Sequence, residues 1–164
     1  MAKHTDKYVS AAAVLRRLAD MEQEGVDFYE GLSSGASTAW LRAFAGKLVS
    51  AEQRHRRRFL EYARRAEEGA PEENQLEGDL PRDAVRLLGT RLLPSKATIA
   101  RSAAYATDED ALKLAIRAEE NTALLLEQLR SYVPKVQRRY IDRVIKEEWG
   151  HKEKLEELLK RKLK

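Results

Sequence analysis

The chain has 164 residues, of which 43% are hydrophobic and 35% charged, and it contains only eight glycines and four prolines. This length is typical of a single domain, here taken as residues 1–164, and this composition is typical of a water-soluble, helix-rich protein. The absence of cysteine excludes disulfides, thiolate zinc sites and iron–sulfur clusters, so any metal must be held by oxygen and nitrogen.

The formal net charge is +4, and arginines cluster between residues 54 and 65. Acidic residues are interspersed along the same predicted helices, which favours a solvated helix face over a nucleic-acid surface. The first seven residues lack the apolar core of a signal peptide, and no apolar run is long enough to cross a bilayer. We therefore expect a cytoplasmic protein that binds neither nucleic acid nor membranes.

The first half of the sequence predicts two long helices, A and B, because apolar residues recur there at alternating steps of three and four. Helix A begins at the N-cap Ser10, and a short break rich in serine separates it from helix B, so the two form an antiparallel hairpin. The apolar line of helix A includes Glu22, and that of helix B includes Glu52 and His55. The predicted ranges are about 10–32 for helix A and about 37–68 for helix B.

Residues 69–107 are predicted to form a long crossover between helices B and C. Its first part is polar, and a short helical piece is expected from Pro81 to about Leu93, with a second after Ser95. A connection of this length can cross the whole bundle. The residues of the first piece that are expected to face inward are Val85, Leu88 and Leu92.

The second half predicts another hairpin, made of helices C and D. Thr107 begins helix C with acidic residues in the first turn, and Pro134 separates it from helix D. Glu119 interrupts the apolar line of helix C, and Glu148 and His151 interrupt that of helix D. The predicted ranges are about 108–131 for helix C and about 135–162 for helix D.

Helices B and D each carry one Glu-x-x-His motif, and each motif is preceded by a glutamate in the helix before it, 30 residues earlier in one half and 29 in the other. At a spacing of three, the carboxylate and the imidazole project from one helix face, so one metal ion can reach both. Four carboxylates and two imidazoles match a two-metal site in a bundle core, and two divalent ions balance four charges that are costly to bury. The six candidate ligands are Glu22, Glu52, His55, Glu119, Glu148 and His151.

The two hairpins also align with each other at a shift of 96 or 97 residues, which indicates an internal duplication. A duplicated pair of hairpins has a pseudo-twofold relation, so the two motifs are expected to meet near one axis. The alignment places Tyr29 opposite Leu126. Ligation by carboxylate and imidazole without sulfur suits iron or manganese, and zinc would bind through its high affinity.

These motifs give the chain a resemblance to the ferritin-like superfamily, and within it to the rubrerythrin-type carboxylate di-iron proteins. The resemblance covers residues 10–68 and 108–162, and the segments 21–29 and 111–119 also look like that family. It implies an all-α fold, a ferritin-like antiparallel four-helix bundle of two duplicated hairpins with short helices in the B-to-C crossover. It further implies two iron ions bridged by Glu52 and Glu148, with terminal ligands Glu22 and Glu119 and one imidazole, His55 or His151, on each ion.

The resemblance also implies a diferrous site that reacts with dioxygen or hydrogen peroxide and is reduced by an external electron donor. Tyr29 matches a family tyrosine beside the cluster that would donate a hydrogen bond or an electron, although a half-buried packing role fits the sequence equally well. Gly25 and Thr122 would either leave room for an oxidant or allow close helix packing. Gly150 is expected to admit a neighbouring group next to His151.

Other functions remain open at this stage. Thr122 stands where rubrerythrins carry a further glutamate, and Leu126 replaces their second tyrosine, which brings the ligand set closer to that of ferritins and bacterioferritins. A ferroxidase that stores or handles iron, a di-iron oxygenase acting on an organic substrate, and a bundle that metal merely stabilises are the alternatives. We expect a homodimer or a higher homo-oligomer.

Overall fold

The structure is a computed structural model that describes residues 10–80, 82–89, 91, 93 and 107–162. Over these ranges the chain is all-α, as the sequence predicted, and none of the described residues forms a strand. No described helix combines the length and the apolar character needed to span a membrane. The helices are α1 (Ala11–Gly35), α2 (Ala39–Glu68), a short 3-10 helix (Pro71–Asn74), α3 (Arg82–Gly89), α4 (Asp108–Arg130) and α5 (Lys135–Lys162).

Two of the predicted helix starts are confirmed by their caps. The hydroxyl of Ser10 accepts a hydrogen bond from the backbone N–H of Ala13, which satisfies one of the free donors at the start of α1. At the start of α4, Thr107 and Asp110 form a reciprocal capping box. Three acidic residues in this first turn also interact favourably with the positive end of the helix dipole.

The turn between α1 and α2 is shorter than predicted, since α1 continues to Gly35 and α2 begins at Ala39. The hydroxyl of Ser34 donates to the carbonyl of Glu30, a bond to the preceding turn that lets serine remain in a helix. The turn is then held by α4, because the carboxylate of Asp108 accepts a 2.7 Å hydrogen bond from the hydroxyl of Ser37.

Both long hairpins are antiparallel. Arg16, near the start of α1, pairs with Glu67, near the end of α2. Arg130, at the end of α4, pairs with Asp142, near the start of α5. These exposed ion pairs contribute little stability, but each joins the start of one helix to the end of the other and so shows the antiparallel arrangement.

The first part of the crossover, residues 69–80, is attached to both hairpins. The side-chain oxygen of Asn74 accepts a 2.9 Å hydrogen bond from the backbone N–H of Ala12, and the N–H of Glu77 donates to the carbonyl of Tyr132. The 3-10 helix lies in a segment that was predicted to be only a polar connection.

The short helix α3 covers a smaller part of the crossover than the predicted piece that began at Pro81. Ala84 and Leu88, one turn apart, are buried, whereas Val85 is 46% exposed, so its predicted inward orientation is wrong. A helix of two turns against one surface buries a single narrow face, and Val85 lies about 100° from Ala84 around the axis. Leu92 and the second predicted piece after Ser95 lie outside the described residues.

The bundle core consists of two apolar layers with a polar layer between them. The first, the Phe59 layer, lies at the end where the crossover docks, and the second, the Leu41 layer, lies at the end with the α1–α2 turn. Main members of the Phe59 layer are Leu15, Leu18, Phe59, Leu125, Leu126, Leu129, Ile141 and Val144. Main members of the Leu41 layer are Phe28, Tyr29, Leu41, Leu48, Leu112, Ala115 and Leu155.

Candidate metal centre

The polar layer contains all six residues that the sequence predicted as metal ligands. Each long helix contributes from the middle of its length, so the layer is enclosed by apolar side chains above and below. Five of the six side chains are almost completely buried and one is partly exposed. Their exposed fractions are Glu22 2%, Glu52 4%, His55 3%, Glu119 2%, Glu148 1% and His151 14%.

The six side chains form two overlapping groups, and within each group the potential ligand atoms lie within 4.8 Å of one another. Glu52 and Glu148 belong to both groups, which is the arrangement that two bridging carboxylates require. The first group is Glu22, Glu52, His55 and Glu148, and the second is Glu52, Glu119, Glu148 and His151.

Both histidines turn the same ring nitrogen toward the centre. Nδ1 of His55 lies 2.9 Å from Oε1 of Glu148 and 3.6 Å from Oε2 of Glu22. Nδ1 of His151 lies 3.3 Å from Oε2 of Glu148 and 3.5 Å from Oε2 of Glu119. The two rings lie 6.4 Å apart, at an angle of 26° to each other, on either side of Glu148. Each imidazole thus points toward the group to which it belongs.

Several of these atoms are buried without a hydrogen bond. Among the described residues, Oε2 of Glu22, Nδ1 of His55 and Oε1 of Glu148 have no hydrogen-bond partner of suitable geometry, although they lie close together. A buried polar atom without a partner costs about 1 to 3 kcal/mol, so three such atoms facing one point require an explanation. Metal ligation explains them, because ligand lone pairs converge on an ion rather than on each other, and the donor set fits two divalent cations.

The charges in the layer shift the pKa values of its carboxyl groups. Burial, followed by the charges of Glu148 and Glu22, raises the pKa of Glu52 well above its usual value. Burial and the neighbouring Glu148 likewise raise the pKa of Glu119. Burial alone would also raise the pKa of Glu148, but its contacts with Glu119 and with both imidazoles lower it below the usual range. Without cations, protons would therefore partly neutralise the layer.

The two imidazoles are shifted in the direction that favours their charged form. Burial acts to lower the pKa of His55, but the carboxylates of Glu148 and Glu22 outweigh it and raise this pKa to about 11. For His151, burial is outweighed by Glu119 and Glu148, which raise its pKa to about 9. The same negative field that holds a proton on each ring would favour a divalent cation in its place.

Tyr29 lies beside this layer and is only 1% exposed, more deeply buried than its expected half-buried position. Its hydroxyl donates a hydrogen bond to Oε1 of Glu119, across the interface between the two hairpins. Burial and the charge of Glu119 raise its pKa well above the usual value, so the phenol keeps its proton. The structure thus places Tyr29 next to a candidate ligand, while its catalytic role stays a prediction.

The three small residues considered in the sequence have different surroundings. A Cβ atom at Gly25 would lie 2.8 Å from Oε2 of Glu52, so this glycine makes room for a candidate ligand. At Gly150, no side chain or backbone from elsewhere in the described residues lies within 4 Å of the equivalent position, so the predicted close neighbour is wrong. Thr122 is half-buried.

Glu147 was not singled out in the sequence, yet it contacts the candidate centre. Its Oε2 accepts a 2.9 Å hydrogen bond from Nε2 of His55, the ring nitrogen that faces away from the centre. Metal-binding histidines commonly donate their second N–H to a carboxylate in this way. The only sequence signal was its position directly before Glu148, and nothing in one sequence tells which helix such a residue contacts.

Comparisons with known proteins support the fold. No protein-family model and no curated protein matches this sequence. A crystal structure of a protein from Thermotoga maritima, described as a candidate ferritin-like diiron-carboxylate protein, superposes with a TM-score of 0.65 at 19% sequence identity. The match covers 93% of this chain and 96% of that one. The chain has a ferritin-like fold.

In the ferritin-like fold, metal sites are built from inward-facing side chains of four helices. The polar layer described above occupies that position between the Phe59 and Leu41 layers. It is therefore a candidate di-metal centre, and its six residues are the ones that would hold the ions.

Proposed function

We propose that this protein is a di-iron carboxylate oxidoreductase of the rubrerythrin type, which reacts with hydrogen peroxide or dioxygen. The observation that carries this proposal is the convergence of four carboxylates and two Nδ1 atoms in one buried layer, with Glu52 and Glu148 common to both groups. Nitrogen and oxygen donors without sulfur suit iron, with manganese and zinc as the competing ions. The neighbour from Thermotoga maritima, described as diiron-carboxylate, supports the same choice.

In this proposal, one hydrogen peroxide is converted to two waters by two electrons and two protons, and a bound pair of ferrous ions would supply the electrons, one from each ion. The chain's own residues contribute the environment. Glu22, Glu119 and the two histidines would hold the ions at the ends, and the apolar layers exclude water from the pair. Tyr29 keeps its proton and donates it in a hydrogen bond to Glu119, which orients that carboxylate.

The electrons would have to come from another molecule. The sequence contains no cysteine and so offers no iron–sulfur relay of its own. We propose an external reductant as partner.

The test begins with metal-free protein that is loaded anaerobically with Fe(II) and then exposed separately to peroxide and to dioxygen. We expect two irons per chain and repeated reoxidation by stoichiometric peroxide when a reductant is supplied. Glu52→Gln should lose both iron binding and repeated reoxidation. Glu153→Gln, an equivalent change at an exposed position of α5, should keep both properties. Iron binding without turnover under any reductant would contradict the oxidoreductase proposal.

Ferroxidase activity with iron handling is the second candidate. It is favoured by Thr122, half-buried in α4 where the rubrerythrin type would carry a further glutamate, because the remaining six ligands resemble a ferritin set. A ferroxidase would oxidise more Fe(II) than its two sites hold and retain the product. Light scattering distinguishes the two, since storage needs a large closed assembly, whereas a monomer or dimer would favour peroxide or dioxygen reduction.

A further inference from the structure

The two halves of the candidate centre differ at positions that the internal duplication makes equivalent. Ala51 and Glu147 each come directly before the glutamate of a Glu-x-x-His motif, and they align at the shift of 96 residues. Glu147 contacts the histidine of the opposite motif, and the pseudo-twofold relation of the two hairpins assigns the equivalent place beside His151 to Ala51. Glu147 contacts His55, and its counterpart Ala51 has no polar side-chain atom to offer His151.

Carboxylates lie against both ring nitrogens of His55, and Nε2 is the nitrogen that is hydrogen-bonded. Nε2 donates to Glu147 at 2.9 Å, which fixes the proton on that nitrogen and leaves Nδ1 as the ligand atom. The imidazole is 3% exposed, so solvent does not compete for its ring nitrogens, and the contacts inside the protein set its tautomer and orientation. A carboxylate in this position also makes the imidazole a more basic ligand.

In the described part of the chain, carboxylates lie against only one ring nitrogen of His151. Its Nδ1 faces Glu119 and Glu148, but no residue in the described part of the chain makes a hydrogen bond with its Nε2. Its side chain is 14% exposed, compared with 3% for His55. Its ring is therefore less constrained and closer to solvent.

The two terminal carboxylates, Glu22 and Glu119, also differ, and the difference again favours the position of Glu22 and His55. Oε1 of Glu119 already accepts the hydroxyl of Tyr29, which leaves Oε2 as the oxygen that faces its histidine. Oε2 of Glu22 has no hydrogen-bond partner among the described residues. Leu126, which the duplication aligns with Tyr29, provides no hydroxyl for Glu22. Glu22 thus keeps more of its donor capacity for a cation.

We propose that the two metal positions are unequal, with the position of Glu22 and His55 filling first and holding a divalent cation more tightly than the position of Glu119 and His151. Glu147 is the positioning residue that creates the difference, acting through His55. The second position is then the exchangeable one, and the partly exposed His151 side of the layer is where its ion enters and leaves. This inference rests on the proposed two-metal site but not on any redox reaction.

The experiment titrates metal-free protein with Co(II), which needs no oxygen chemistry to be observed. We expect two binding steps in calorimetry and in the visible absorption of Co(II). Loss of a hydrogen-bond partner of a metal-binding histidine lowers metal affinity about 10- to 100-fold, so Glu147→Ala should weaken the tighter step by that factor and leave the weaker step unchanged. Glu147→Gln can still accept from Nε2 and should recover part of the loss.

Glu153→Ala is the matched control, because it removes an exposed carboxylate from the same helix without touching the layer. It should leave both steps unchanged. Crystals loaded with one equivalent of Co(II) should show anomalous scattering mainly beside His55 in the wild type, and at both positions in Glu147→Ala.

Each other outcome overturns the inference. Equal occupancy at one equivalent, or a Glu147→Ala titration identical to that of the wild type, would contradict it while leaving the two-metal site intact. A change in the weaker step alone would show that Glu147 acts on the weaker position and not, as proposed, on the tighter one. No Co(II) binding at all would overturn the proposed function as well.

Discussion

Phe59 and His55 lie one turn apart on α2 and are both almost fully buried, but their surroundings are opposite. Phe59 packs in an apolar layer, with the ring of Tyr140 at 5.4 Å. His55 lies among carboxylates, some of whose atoms have no hydrogen-bond partner among the described residues. Burial stabilises the first layer directly, whereas the second needs protons or cations to offset the charges that burial brings together.

Burial therefore has opposite energetic consequences in the two layers. Removing a side chain from the apolar layer leaves a cavity and lost contacts. Removing a charge from the polar layer also removes repulsion, so the metal-free protein can gain while metal binding is lost.

The largest effect is expected in the apolar layer. Leu129→Ala, at a fully buried position of α4, should lower the free energy of unfolding by about 2 to 5 kcal/mol, because the cavity cannot be filled by neighbours. Urea unfolding with and without metal measures this loss, which should be similar in both states. Leu124→Ala, at a 43% exposed position of the same helix, should change stability by roughly 0.5 kcal/mol or less.

The polar layer should respond to metal instead. A divalent ion such as Co(II) at about 100 times its Kd should raise the free energy of unfolding by ~2.7 kcal/mol, and chelation should reverse this. Glu52→Gln should abolish the gain without destabilising the metal-free protein, since burial and the charges of Glu148 and Glu22 raise the pKa of Glu52 and already favour its neutral form, which the amide resembles. A variant that loses metal and unfolds as easily as Leu129→Ala would contradict the proposed contrast between the layers.

The stability of the metal-free protein should fall as pH rises. His55 and His151 have pKa values raised from 6.5 to about 11 and about 9, so their stabilising contribution is complete below pH 6.5 and is lost as pH rises through these values. The raised pKa values of Glu52 and Glu119 also make stability fall as pH rises, and their effect begins at the usual carboxyl pKa of 4.5. The lowered pKa of Glu148 has the opposite effect, since it stabilises the folded protein above the usual pKa of 4.5 and this contribution is lost as pH falls.

This pH dependence can be measured by urea unfolding of chelator-treated protein between about pH 7 and about pH 10, a range in which both histidines contribute to the linkage. Saturation with metal should flatten the profile, because bound cations take the place of the protons. A metal-free profile that is level or rising over this range would show that the imidazoles do not carry the expected protons.

The smallest effect is expected at Gly25, where substitution tests whether the glycine makes room for Glu52 as a ligand or only allows close helix packing. Gly25→Ala should leave the metal-free protein nearly unchanged, because the flexible end of Glu52 can move away from the new Cβ atom. Once Glu52 is held by metal it cannot move as freely, so affinity should fall by about tenfold, or ~1.4 kcal/mol. Titration with Co(II) measures this.

Gly46→Ala provides the control for Gly25→Ala. Among the described residues, nothing outside the same stretch of helix lies within 4 Å of its added Cβ atom. The variant should therefore gain up to about 1 kcal/mol of stability from helix propensity and bind metal as the wild type does. Equal metal affinities in the two alanine variants would mean that Gly25 has no part in the site.

The sequence by itself determined the all-α fold, the caps at Ser10 and Thr107, and the six residues that meet in the polar layer. Local rules are enough for these features, since helix periodicity fixes which side chains share a face and cap chemistry fixes where helices begin. Acids and histidines on an otherwise apolar face have to meet each other once the faces are packed together.

Only the tertiary structure decided the contacts between helices. It joined Glu147 to His55, Tyr29 to Glu119, and the space at Gly25 to Glu52, and it turned Val85 outward. Such contacts depend on the rotation and axial position of one helix against another, which a single sequence does not encode locally. The aligned halves already differ in sequence at Ala51 and Glu147 and at Tyr29 and Leu126, and the packed structure shows that these differences fall beside the candidate ligands His55 and Glu119.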